Sequence, residues 1–131
     1  MKSSLLGIVV LAAAAVGACN TVAPDQSVVL DATKLEVPAT IPAGSPLTVV
    51  LTVATGGCKT FDRIDIERDA AGAALTPWGK DAAKGEKNVS CPADIVETPH
   101  SIRLDPPFLS PFMVMVPRVG TDPLMATVQI Q

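Results

Sequence analysis

Proline spacing is the feature that most limits the folds open to this chain. All 12 prolines follow residue 23, and most of them separate short apolar runs. Examples are Pro38, Pro42, Pro46, Pro77, Pro106, Pro107 and Pro123. Proline lacks the N–H that a strand ladder needs, so these positions predict turns and strand edges. Beyond residue 26 the sequence has no capped stretch of ten residues with helical patterning, so helices are not expected there.

The apolar runs between the prolines recur with a period of two, which is typical of β-strands. The clearest runs are 47–54 and 124–131, followed by 64–66, with charged neighbours on one face. The run 112–116 is apolar on both faces, and Met113 and Met115 are predicted to fill the core there. Weaker strands are expected around residues 28–37, 74–75 and 102–104. About seven short strands predict an all-β fold, an antiparallel β-sandwich, with a small β-barrel as the alternative.

This strand pattern resembles an immunoglobulin-like domain of the kind common on bacterial envelope proteins. The chain departs from the antibody pattern, since it contains no tyrosine and Trp78 lies closer in sequence to Cys91 than to Cys58. The resemblance therefore implies the sandwich architecture but not membership of the antibody family.

The amino terminus has the layout of a secretory signal peptide. Lys2 supplies a positive charge, residues 5–16 are apolar apart from Gly7, and the small residues Gly17 and Ala18 follow. A membrane-spanning helix needs about 20 apolar residues, and this run is shorter. We therefore expect three parts: a helical signal peptide (1–18), a short tether (19–26) and one β-sandwich domain (27–131).

The four residues Val16-Gly17-Ala18-Cys19 resemble the lipobox of bacterial lipoproteins. The resemblance implies that Cys19 is acylated, with chains such as palmitate, and becomes the first mature residue; plain secretion with cleavage at the same place is the alternative. In that family an aspartate after the cysteine is linked with inner-membrane retention. Asn20 stands at this position, so the resemblance implies a lipid-anchored envelope protein, with the outer membrane favoured over the inner one.

Cysteine number supports the same interpretation. Three cysteines cannot all pair within one exported chain. If Cys19 carries lipid, Cys58 and Cys91 remain, each beside a turn signal, and we expect them to form a structural disulfide. A redox-active pair is the rival interpretation, but the two cysteines lack Cys-x-x-Cys spacing.

Candidate catalytic and metal-binding groups are sparse. His100 is the only histidine, and although Ser101, Ser110 and Asp105 are near it in sequence, no nucleophile elbow is present. We therefore expect no enzyme activity, no cofactor and no zinc site. The alternative function is a periplasmic carrier of a small ligand or copper that uses His100 with Met113 and Met115, because thioethers and imidazole suit cuprous ion.

Three aromatic residues are candidate contact sites. Phe108 and Phe112 lie in the proline-rich segment 106–112, which is either an exposed recognition loop or, as we favour, a plug at one end of the sandwich. Trp78 is either an exposed contact residue or the edge of the core.

Charge excludes one class of partner. The formal net charge is −3 and no run of lysine or arginine occurs, so nucleic acid is not an expected partner. The sequence predicts a non-enzymatic, lipid-anchored protein with a structural or protein-contact role. Its expected partners are membrane lipid, through acylated Cys19, and another envelope protein.

Overall fold

The computed structural model describes residues 26–85 and 89–131, and within these ranges every regular element is a β-strand. The strands are β1 (Ser27–Val29), β2 (Asp31–Glu36), β3 (Thr40–Ile41), β4 (Leu47–Gly56), β5 (Lys59–Arg68), β6 (Gly72–Asp81), β7 (Ile95–Leu104), β8 (Phe112–Val116) and β9 (Leu124–Ile130). The all-β prediction is confirmed. The predicted signal peptide, Cys19 and the tether as far as residue 25 lie outside the described residues.

The strands form a mixed sheet. Seven follow one path in the order β2-β4-β5-β6-β8-β9-β3, while β7 pairs with β4 and β1 pairs with β6. Two pairs, β3 with β9 and β6 with β8, are parallel, so the antiparallel prediction is wrong for them. A parallel pair needs a crossover connection, and β7 supplies one because it follows β6 in sequence but pairs with β4.

The path is nearly interrupted between β4 and β5. These two strands pair at only one position, Gly56 with Lys59, whereas β4 pairs with β7 along its whole length. Buried residues from both sides of this junction belong to one core. They are Leu30, Ala32, Ile41, Leu47, Val49, Leu51, Val53, Ala73, Leu75, Ile102, Leu104, Phe112, Val114, Val116 and Val128. The sheet therefore curls around a single apolar core.

Pro77 corrects one part of the proline interpretation. It lies inside β6, fully buried, rather than at a turn. Its carbonyl accepts a hydrogen bond from the N–H of Leu30, which follows β1. The N and C=O of one strand residue point to the same side of the strand, so the nitrogen of Pro77 lies on the side of Leu30 and away from β5. The hydrogen bonds between β5 and β6 therefore lose no donor at Pro77.

The register defines two ends of the domain. Lys59 pairs with Asp81 at one end of β5 and β6, and Arg68 pairs with Ala73 at the other, about 30 Å away along ten-residue strands. We call the first end, which carries Cys58 and Cys91, the disulfide end. The second carries the loop 105–111 and is called the proline end.

The methionine positions correct a second prediction. In β8, Phe112, Val114 and Val116 are fully buried, whereas Met113 and Met115 are 43% and 36% exposed. The prediction that these methionines fill the core is wrong. Strand alternation gives the core only one face of β8, and the other face carries the methionines towards solvent.

Candidate functional site

The disulfide end is organised by the β4–β5 hairpin. The sulfur atoms of Cys58 and Cys91 are bonded, with 5.1 Å between their Cα atoms, which confirms the predicted bridge. Gly56 and Gly57 make the turn before Cys58 with positive φ angles of 134° and 62°. The N–H of Gly57 donates to the carbonyl of Asp94 at 3.1 Å, so the bridge and this bond both hold the segment before β7 against the hairpin.

A cleft of about 650 Å³ opens beside the disulfide. Its lining includes four carboxylates and one lysine: Asp31, Asp81, Asp94, Glu97 and Lys59. The charged groups of the cleft are therefore mainly negative. Within the part of the chain that the structure describes, no three side chains from His, Cys, Asp and Glu are grouped to hold a metal ion. The disulfide also removes both cysteines as thiolate ligands.

His100 lies on β7 and packs against Phe61 of β5. The two rings are stacked, with centroids 4.2 Å apart and an interplanar angle of 19°. Its Nε2 is buried and has no hydrogen-bond partner among the described residues. The nearby polar residues do not gather around it, because Ser110 Oγ contacts β9 and Asp105 accepts a bond from Arg103. The structure does not assemble a Ser–His–acid arrangement from these residues.

His100 and the methionines of β8 are also far apart. Phe61, which contacts His100, pairs with Gly79 of β6, whereas Met113 pairs with Gly72. Seven positions along β6 correspond to about 23 Å. His100 and Met113 therefore do not converge on one metal ion or small ligand as the alternative function requires.

Trp78 lies on the outer face of β6, half-buried beneath Arg63. The guanidinium carbon of Arg63 is 5.6 Å from the centre of the indole ring. Asp65 and Asp62 accept hydrogen bonds from Arg63 at 3.0 and 2.7 Å, and the bond to Asp65 contributes most to a raised Arg63 pKa. Trp78 is thus covered by a charged side chain rather than displayed as a free aromatic surface.

Phe108 and Phe112 meet at the proline end. Phe112 is fully buried in the core, Phe108 is partly buried against it, and the rings make an edge-to-face contact at 4.9 Å. Arg68 covers both rings, at 4.8 and 5.4 Å from their centres. Its guanidinium donates to the carbonyls of Asp105 and Pro107 at 2.5 and 2.6 Å. These positions favour the plug over the recognition loop for both phenylalanines, and Phe112 offers no contact surface.

Three residues at these sites were not predicted from sequence. Phe61 and Arg68 act through cross-strand partners that no local pattern identifies. Met125 did carry a signal, because it alternates with Leu124 and Ala126 on the face shared with Thr127 and Gln129. It is 56% exposed and pairs directly with Met115.

Residues 26–85 and 89–131 contain no apolar helix of membrane-spanning length. Comparison with protein-family models, with curated proteins and with solved structures finds no match to this chain.

Proposed function

We propose that this chain is a bacterial lipoprotein whose single domain is held at the outer membrane through acylated Cys19 and acts by protein contact, without catalysis. One observation carries the anchor: Cys58 and Cys91 are joined to each other, so Cys19 is the remaining cysteine of the three in the sequence. It stands directly after the lipobox-like residues Val16-Gly17-Ala18. A structural disulfide also suits an exported protein, where thiols meet oxidants.

The anchor has a consequence for orientation. The carbonyl of Gln26 accepts a hydrogen bond from the N–H of Asp81, so the chain enters the domain at the disulfide end. Six residues separate Cys19 from Gln26 and span about 20 Å when extended. A lipid-anchored domain would therefore keep its acidic cleft near the membrane and direct its proline end away from it.

The proline end is the proposed contact surface. With Phe112 buried and Phe108 partly buried, the large apolar side chain that this loop exposes is Leu109, at 60%, and Pro106, Pro107 and Pro111 of the same loop are also exposed. Arg68 holds the loop by two hydrogen bonds, so a partner would meet a preformed surface and lose little binding free energy to loop ordering.

We further propose that the curled sheet is an immunoglobulin-like β-sandwich. Its support is the single pairing between β4 and β5, which separates the arm β2-β4-β7 from the arm formed by β1, β5, β6, β8, β9 and β3. Each arm contributes one buried face to the common core. Two faces packed on one core are the defining property of a sandwich.

Substitution of Cys19 tests the anchor. In a bacterial host, the native chain should incorporate labelled palmitate and sediment with membranes, while Cys19→Ser should do neither. Sedimentation depends on the acyl chains because each of their methylenes contributes about 0.8 kcal/mol to membrane binding. The matched control is the double variant Cys58→Ser/Cys91→Ser, which removes the other two cysteines and should keep the label. Unlabelled native protein that still sediments would overturn the proposal.

Position 20 tests the choice of membrane. In a two-membrane host, native protein should band with outer-membrane fractions on a density gradient, and Asn20→Asp should move it towards the inner membrane. Asn20→Ser is the control and should leave the distribution unchanged. Native protein in the inner-membrane fraction would contradict the outer-membrane assignment while leaving the anchor intact.

A further inference from the structure

Three of the four methionines of this chain lie on one exposed surface. The sequence has four methionines; one is Met1, and the other three are Met113 and Met115 of β8 and Met125 of β9. All three are exposed, by 43%, 36% and 56%. Methionine usually fills gaps in cores, so placing all three outside the core leaves their thioethers available to a ligand.

The strand register brings these three residues together. Met115 lies directly opposite Met125, and Met113 precedes Met115 by two residues, so all three share one face of the β8–β9 pair. Directly opposed residues have Cβ atoms about 5 Å apart, and diagonal neighbours about 7 Å. Methionine has three rotatable side-chain bonds, so the three sulfur atoms can converge on one point above the sheet.

The neighbouring strand leaves this point open. β6 runs beside β8 and places the small residues Gly72 and Ala74 next to Met113 and Met115. A groove of about 510 Å³ borders Met115, and its lining includes the carboxylates of Glu67 and Asp69. The one cation in the lining of this groove, Arg68, donates to two carbonyls of the proline-end loop. The surroundings therefore have room for an ion and an excess of negative charge.

The chemistry of the donors selects the ion. Thioethers are neutral, soft ligands that favour Cu(I) over hard cations, and they need no deprotonation before binding. We propose that Met113, Met115 and Met125 form a three-thioether site for one Cu(I) ion. The site does not use His100, which lies towards the other end of the domain, and it is independent of the lipid anchor.

Binding can be measured on Cys19→Ser protein, which lacks the thiol that would itself bind Cu(I). Cu(I) is added without oxygen and in ascorbate, with bicinchoninate as the competing ligand, and mass spectrometry checks that Cys58 and Cys91 remain joined. We expect one Cu(I) per chain. With methyl-labelled methionine, one equivalent of Ag(I) should shift the NMR signals of Met113, Met115 and Met125 together, while Zn(II) shifts none. Failure to bind Cu(I) at this stoichiometry would overturn the site.

Leucine variants separate the thioethers from the shape of the surface. Met115→Leu and Met125→Leu keep side-chain volume, so the fold should be retained, and each should weaken Cu(I) binding by about tenfold or more. The double variant should lose the site. His100→Gln and the surface control Val119→Leu should bind as the parent does. Parental affinity in the leucine variants, or its loss in His100→Gln, would refute this assignment, and a circular dichroism spectrum confirms that each variant is folded.

Discussion

The guanidinium carbon of Arg68 lies 4.8 Å from the centre of the Phe108 ring, at the point where the loop 105–111 passes over the end of the core. The same group donates to the carbonyls of Asp105 and Pro107. One side chain thus satisfies two loop carbonyls and covers an aromatic ring whose other contacts are with the core. The loop is therefore fixed by the hydrogen bonds from Arg68 of β5 and by the packing of Phe108 on the core.

Replacing Arg68 with alanine should lower the free energy of unfolding by about 2 kcal/mol, since charge-assisted hydrogen bonds and a cation–π contact are lost together. Arg68→Lys should recover only part of this, because an ammonium lacks the planar fork of the guanidinium. Urea denaturation measures both values.

The matched control is Arg103→Ala. Arg103 contacts Asp105 at 3.1 Å, but both side chains are more than 70% exposed, so the loss should be below about 1 kcal/mol. Equal losses for the two arginines would show that Arg68 does not hold the loop.

Removal of the disulfide should have a larger effect. Cys58 and Cys91 are 33 positions apart, and the chain-entropy model assigns about 4 kcal/mol to closing such a loop. The double variant Cys58→Ala/Cys91→Ala should lose this amount in urea denaturation, and reducing agent should lower the stability of native protein but not of the variant. A native protein that is insensitive to reductant would contradict this expectation.

The strands could be predicted from sequence because alternation is a local property. Residues 47–54 show it most clearly, and they lie in β4 with Leu47, Val49, Leu51 and Val53 buried. Pairing is not local. The two residues of β3, Thr40 and Ile41, carry no pattern that indicates a parallel partner in β9. The two parallel pairs therefore could not be foreseen.

The errors at candidate sites have related causes. In β8 both faces are apolar, so alternation does not indicate which face is buried, and the prediction that Met113 and Met115 fill the core fails for this reason. The sequence rule for proline places Pro77 at a turn or strand edge, because a missing N–H leaves a gap in a ladder, whereas the nitrogen of Pro77 faces away from β5. The disulfide was predicted because three cysteines allow few arrangements.

Two glycines with positive φ should differ in their tolerance of a side chain. Gly56 and Gly44 have φ angles of 134° and 80°, so alanine is strained at both. At Gly56 a Cβ atom would also collide with the carbonyl oxygen of Asp94, whereas at Gly44 no atom lies within 4 Å. We expect Gly44→Ala to cost about 1 kcal/mol and Gly56→Ala at least about 2 kcal/mol more, measured by urea denaturation. Similar losses would mean that Asp94 moves aside readily.

The stacked pair of His100 and Phe61 gives a prediction in the opposite direction. Because Nε2 of His100 is buried without a hydrogen-bond partner among the described residues, it loses its bond to water on folding and gains none in return. His100→Phe keeps an aromatic ring against Phe61 and removes this loss, so it should raise the free energy of unfolding by about 1 kcal/mol. His100→Ala, which removes the ring as well, should lower it. Thermal and urea denaturation at neutral pH distinguish the two variants, and a destabilised His100→Phe protein would show that the nitrogen has a favourable partner after all.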